Sequence, residues 1–211
     1  MEPRPRIEVR ELTPDSADDF FALFDEVYDT DPWLNFKDNP DWGGCYCTFH
    51  DDTRYDVTIE ATPDKRSYNR AARRKTIESG HAGGLLAYAD GKVVGWCNVA
   101  QKESYANPRH LGDAGEGEKG RVGSIVCFVV HGKYRKSGVA PRLLESACDL
   151  IRGWGLAIAE GYPRNPEAKP PVGYDIPGEN LAFKGSLGMF LKGGFQEHRR
   201  LDRFVIVRKM V

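Results

Sequence analysis

The chain has 211 residues, which suits one domain with insertions better than two. Its 30 basic and 31 acidic residues leave a net charge of −1, which argues against a dedicated nucleic-acid binder. A hydrophobic content of 40% excludes an unstructured chain, and no apolar run approaches the ~20 residues that span a bilayer. The N-terminal stretch MEPRPRIEVREL lacks the apolar core of a signal peptide. Five cysteines is an odd number, and only Cys45 and Cys47 are close in sequence, so the simplest expectation is a cytoplasmic protein with reduced thiols.

Residues 7–12 alternate apolar and charged side chains, the pattern of a half-exposed strand. Thr13 suits a helix N-cap with Pro14 in the first turn, and Phe20, Phe21, Leu23, Phe24 and Val27 supply that helix's apolar side. Periodicity disappears over residues 28–55, which are rich in Asp, Pro, Gly, Trp and Cys; a long functional loop or irregular insertion is expected there. Residues 63–79 carry Lys65, Arg66, Arg70, Arg73, Arg74 and Lys75 and predict a basic helix with a solvated face, ended by Gly80. Two apolar runs, 84–89 and 92–100, flank Asp90-Gly91 and predict a hairpin with a tight turn. A polar loop over 103–120 follows. Further on, 156–162 predicts a buried strand, 165–178 a loop rich in Pro and Gly, 181–193 a short helix despite its glycines, and 203–210 a last strand.

Between these lies the most informative stretch, residues 121–152. The run Ile125-Val126-Cys127-Phe128-Val129-Val130 has the β-branched and aromatic content of a buried strand. A basic turn, 131–137, leads into Gly138 and an amphipathic helix. Leu143, Leu144, Ala147, Leu150 and Ile151 share one face of that helix, and Pro141 sits in its first turn. Strand, glycine-containing basic turn and helix N-terminus together suit a pyrophosphate, because free N–H groups and partial positive charge converge there. Neither Gly-x-x-x-x-Gly-Lys-Ser/Thr nor Gly-x-Gly-x-x-Gly is present in it.

Arg135-Lys136-Ser137-Gly138-Val139-Ala140 resembles the acetyl-coenzyme A signature of the GNAT acetyltransferases, Gln/Arg-x-x-Gly-x-Gly/Ala. Residues 187–195, ending in Gly194-Phe195, are similar to the family's late helix. The resemblance covers roughly residues 7–210. It implies an α/β (α+β) fold with a mixed, mostly antiparallel central sheet and helices on both faces. The whole chain, 1–211, would then be one domain with an irregular insertion at about 28–62. It implies acetyl-coenzyme A as the acyl donor and the amine of a small molecule or peptide as acceptor. Neither nucleic acid nor membrane is implied as a partner, and monomer and homodimer both stay open.

The resemblance also implies site residues. The strand before the signature splays from its neighbour in this family, so backbone at Cys127, Phe128 and Val129 would hold the pantetheine and thioester. Amides of Arg135, Lys136, Ser137, Gly138, Val139 and Ala140 would hold the pyrophosphate, with the Arg135 and Lys136 side chains free to add charge. Many members carry a tyrosine five residues before the closing Phe, as the acid for the thiolate; this chain has Phe190 there. Tyr162 is a candidate replacement, with an aromatic wedged at a strand end as the equal alternative. Glu160, in an otherwise apolar strand, is a candidate general base or else a structural partner for an arginine. For acceptor binding, acids interleaved with aromatics suggest Trp42, Tyr46 and Cys47, since such a surface suits a cationic amine. Cys45, Cys47 and His50 raise a metal or thiol-responsive reading, one ligand short of a structural zinc site. A non-catalytic acetyl-coenzyme A sensor is the other alternative, favoured by the absent tyrosine.

Overall fold

The computed structural model describes residues 5–32, 43–51, 64–106, 111, 119–168 and 182–211. A seven-stranded sheet organises them: β1 (Ile7–Glu11), β2 (Leu85–Ala89), β3 (Lys92–Gln101), β4 (Val122–Val130), β5 (Ile158–Gly161), β6 (Gln196–Arg200) and β7 (Val205–Met210). Their spatial order is β1-β2-β3-β4-β5-β7-β6. All neighbours are antiparallel except β4 and β5, which run parallel. A parallel pair needs a crossover, and the helix after β4 supplies it.

Local chemistry explains most boundaries. Ahead of α1 (Ala17–Thr30), a single 3-10 turn opens at Thr13 with Pro14 first, and Ser16 Oγ accepts from the Thr13 N–H at 2.9 Å. Asp64 caps α2 (Lys65–Glu78) by accepting from the Ser67 N–H at 2.9 Å, and Gly80, at φ 73°, lies just beyond its end. Asp90 and Gly91, at φ 49° and 80°, make the hairpin turn between β2 and β3.

The sheet is covered on both faces. On one, Phe20, Phe21, Phe24 and Val27 of α1 pack with Ile77 of α2 against Leu86, Tyr88 and Trp96. On the other, Leu143, Leu144, Ala147 and Ile151 of α3 (Val139–Gly153) meet Leu85, Val94, Val99 and Ile125. Each such apolar side chain contributes on the order of 1.5–3 kcal/mol by leaving water. Phe190 of α4 (Leu187–Lys192) and Phe195 complete that second layer.

Three elements differ from expectation. The helix expected over 181–193 is two pieces, a 3-10 turn at Ala182–Lys184 and α4, because Gly185 between them lies at φ 77°. β6 has no apolar alternation and was not anticipated; all five of its residues are exposed. The basic helix does not have a simply solvated charged face. Arg66 and Arg70 pair with Asp25 and Asp29 on α1, Arg74 pairs with Asp18, and Arg73 is 1% exposed beside Asp51.

Candidate active site

β4 outruns β5. Their pairing stops at Ile125 opposite Gly161, while β3 follows β4 as far as Val130 opposite Gly95. Among the described residues, no strand covers the β5-side edge of residues 126–130, the stretch holding Cys127, Phe128 and Val129. The backbone N–H and C=O groups of such an edge need other partners. A bulge opens within it: Asn98 opposes Cys127, Val99 opposes Ile125, and Val126 is the extra residue. A bulge bends its strand and re-aims side chains locally.

This edge runs into a turn with two left-handed residues, Lys136 at φ 62° and Gly138 at φ 99°. Left-handed residues between ordinary ones swing successive N–H groups into one concavity. Gly138 is also the N-cap of α3. The set of amides is narrower than the signature suggests. Arg135 and Ser137 spend theirs inside the turn, donating to the Gly132 and Tyr134 carbonyls at 3.3 and 3.4 Å. The first-turn amides of Val139 and Ala140 have no intrahelical acceptor, and Pro141 has no N–H to orphan. The Arg135 side chain is not free either: Nη2 lies 2.5 Å from the buried Asp31 carboxylate at the end of α1. Lys136 is exposed.

Glu160 and Tyr162 sit deeper than a strand mouth. Neither exposes any surface. Glu160 Oε1 accepts from Lys102 Nζ at 2.6 Å and from Tyr162 Oη at 2.5 Å, and its Oε2 accepts from Arg208 Nε at 2.6 Å. Both carboxylate oxygens are therefore engaged, and the pairing with Arg208 is also the cross-strand register of β5 and β7. Burial, then the neighbouring Glu160 charge, pushes the Tyr162 hydroxyl well above its ordinary range. Tyr162 Oη also lies 2.7 Å from Ser124 Oγ. Phe190 is fully buried, stacked edge-on to Phe195 at 5.0 Å, and packed where a Cβ on Gly161 would fall 2.3 Å from its ring. It is a core residue with no proton to give.

On the α1 face, Tyr46 does not line an open pocket. It is fully buried among Phe21, Phe24 and Tyr28, and its hydroxyl donates to Asp25. Burial first, then that bond to Asp25, push its pKa up to about 12. Trp42 lies outside the described residues. Cys47 is buried, and its sulfur accepts from Asn98 Nδ2 at 3.3 Å. Burial pushes the Cys47 thiol up, but contact with Cys127, the Arg73 charge, and the side chains of Trp96 and Asn98 outweigh it and bring it to about 7. The Cys127 thiol is held well above its ordinary range, because it donates to Cys47 and is buried. Among the described residues no three His, Cys, Asp or Glu gather as a metal site.

Some of these buried positions carried weak signals in the sequence. Asn98 is a polar residue inside an apolar strand. Asn69, Arg73 and Ile77 recur at helical spacing and form the buried stripe of α2. Lys184, 3% exposed on the 3-10 turn beside β4, carried no signal.

The model of the acetyltransferase (GNAT) family matches residues 46–169, more than half the chain. The chain belongs to the GNAT family. Its fold is that of GNAT structures: an acetyltransferase from Listeria monocytogenes 4b F2365 superposes with TM-score 0.56 at 14% identity, covering 97% of this chain and 95% of that one. The PaiA N-acetyltransferase of Thermoplasma acidophilum, in complex with coenzyme A, gives 0.52 at 13% identity, with 98% and 99% covered. A GNAT-family acetyltransferase of Streptococcus pneumoniae gives 0.53 at 15%, with 98% and 99% covered. No curated protein matches the sequence. Among the described residues, no helix is long and apolar enough to cross a membrane.

Proposed function

We propose that the chain transfers the acetyl group of acetyl-coenzyme A to an amine of a small molecule or peptide. The observation that carries this is the edge of residues 126–130, which no strand among the described residues pairs, leading into the left-handed turn that N-caps α3. An extended pantetheine arm fits that edge, because amide groups repeat along both. A pyrophosphate suits the concavity of the Lys136 and Gly138 amides with the first-turn N–H groups of Val139 and Ala140.

The chemistry asks for a neutral amine, donors for the developing oxyanion, and departure of a thiolate. Backbone N–H groups at Cys127, Phe128 and Val129 are the donors nearest the thioester in this reading. Glu160 and Tyr162 hold the β4, β5 and β7 ends together, with their polar atoms already bonded to one another and to Lys102, Arg208 and Ser124. They position the strand that carries the donor and leave proton transfer to other groups. The acceptor approaches from the α1 face, where Cys47 and Asn98 meet the bulge.

Two measurements test the reading. Acetyl-coenzyme A raises the melting temperature of the wild type but not of Gly138→Glu, which places bulk and negative charge in the concavity at a left-handed position. Release of coenzyme A thiol is then followed with a panel of polyamines, aminoglycosides and peptides. Binding without acceptor-dependent release would instead support a non-catalytic sensor.

A further inference from the structure

The C-terminal end of α1 fastens both ends of the turn that leads from β4 into α3. At the near end stands His131, which is buried. Its Nδ1 accepts from the Lys133 N–H at 3.3 Å, so Nε2 carries the hydrogen and donates to Glu26 Oε1 at 3.0 Å. Glu26 also pairs with Lys92 Nζ, at the start of β3, at 2.9 Å. At the far end, Arg135 Nη2 donates to Asp31 Oδ2 at 2.5 Å. The Asp31 side chain is 2% exposed and that of Arg135 37%.

Asp31 stands against the turn at two points. Besides bonding Arg135, its Oδ2 lies where a Cβ on Gly132 would come within 3.5 Å, an ordinary contact distance. Gly132 and Arg135 are the two residues joined by the closing bond of that turn, from the Arg135 N–H to the Gly132 carbonyl at 3.3 Å. The Asp31 N–H donates to the Val27 carbonyl at 2.9 Å, which fixes the carboxylate to the helix. Arg135, with extended backbone at φ −62° and ψ 146°, is the last residue before left-handed Lys136. The direction in which the Lys136 and Gly138 amides point is therefore set from Arg135.

We propose that Asp31 is a positioning residue for the donor: through Arg135 it fixes the turn whose amides take the pyrophosphate, and it keeps the Arg135 charge for the fold. This rests on the donor site proposed above and adds a residue of α1 to it. A buried carboxylate and a guanidinium at this distance form a strong, directional pair. The pair is made before any ligand arrives, so the turn is ordered in advance and binding does not bear that cost. A loose Arg135 would have to be immobilised on the ligand, and the bend beside it would shift. Pyrophosphate recognition then falls to fixed N–H groups.

The test is calorimetric titration with coenzyme A and with dephospho-coenzyme A, which lacks the 3′-phosphate but keeps the pyrophosphate. Asp31→Ala should weaken both by the same factor, about tenfold or more, since a displacement of about 1 Å suffices for such a loss. Asp31→Asn, which keeps an oxygen facing the guanidinium, should lose less. Arg135→Met should lose as much as Asp31→Ala, and the double variant no more than the weaker single one, because the two act as a unit. Asp18→Ala removes the exposed pair with Arg74 at the other end of α1 and should bind as wild type. With an amine that supports turnover, the KM for acetyl-coenzyme A should rise in Asp31→Ala while kcat holds, a split that mere loosening of the fold would not give.

Tighter binding by Asp31→Ala would overturn the proposal, since a released Arg135 would then be taking the pyrophosphate itself. Additive losses in the double variant would overturn it too, and a loss confined to coenzyme A would place the effect at the 3′-phosphate instead. Where Asp31→Ala does not fold, Asp31→Asn and Arg135→Met carry the same comparison, and wild-type affinity in both overturns the proposal. Wild-type protein that binds neither ligand would sink the donor site itself, whereas wild-type binding with an indifferent Asp31 would leave that site standing and remove only the positioning role.

Discussion

Burying a lysine without a partner destabilises a fold by an amount that depends on pH, and Lys184 makes this measurable. Its pKa falls from 10.5 in the open chain to about 8 in the folded one, because burial disfavours the ammonium. Below pH 8 both states are charged and the folded state bears the whole penalty, on the order of 3–4 kcal/mol for the 2.5 pH units between 8 and 10.5 at 1.36 kcal/mol each. Between 8 and 10.5 the unfolded chain binds more protons than the folded one, so stability rises with pH. Lys184→Met should therefore be more stable than wild type at pH 7, with the gap closing towards pH 10.5. Paired urea titrations at several pH values read this directly, and a gap independent of pH would contradict it. Glu160 is the opposite case. Its two oxygens neutralise Lys102 and Arg208, whose side chains are 6% and 14% exposed. Glu160→Gln leaves both cations without a buried counter-charge and is expected to cost about 3–5 kcal/mol in urea unfolding. Tyr162→Phe, which removes only hydrogen bonds, should cost about 1–3 kcal/mol.

Helix α3 lies close on the sheet, and small residues permit it. A Cβ on Gly123 would stand 2.4 Å from Ile151 Cγ1, well inside contact distance. Gly123→Ala is expected to cost about 1–3 kcal/mol by overpacking. Because Gly123 lies on β4, the same change should also weaken acetyl-coenzyme A binding by shifting the strand; calorimetric titration checks that. This unit of β4, turn and α3 was legible in the sequence because apolar run, glycine and amphipathic stripe coincide within about 30 residues. β6 was not, since Gln196, Glu197, Arg199 and Arg200 pair with β7 while all five residues of the strand face solvent, so only the register with β7 reveals a strand. Tyr46 misled for a different reason. Aromatic and acidic residues interleaved along the chain look like an amine-binding surface, yet Asp25 and the α2 arginines consume the charge while the ring fills the α1 core.

The whole molecule is a sheet joined in its middle by a short parallel seam. Four residue pairs, from Val122↔Ile158 to Ile125↔Gly161, tie the β1–β4 half to the β5–β7–β6 half before the edges part. Donor binding at that parting would add contacts along residues 126–130 and at the N-terminus of α3, both absent from the unfolded chain. At a donor concentration of 100 times Kd, mass action gives about 2.7 kcal/mol of stabilisation. At roughly 2–4 °C per kcal/mol for a domain of this size, the melting temperature should rise about 5–10 °C. Hydrogen exchange tells where the gain falls. The proposed site predicts slower exchange in residues 126–130 and 136–140 on adding acetyl-coenzyme A. Protection of β5 would follow only indirectly, through the Glu160 cluster that ties it to β7. The exposed strand β6 lies beyond β7, away from the seam, and should exchange as before. Uniform slowing across all seven strands would mean that the donor stabilises the fold globally without seating at the parting, and slowing confined to β6 and β7 would place it at the wrong edge of the sheet.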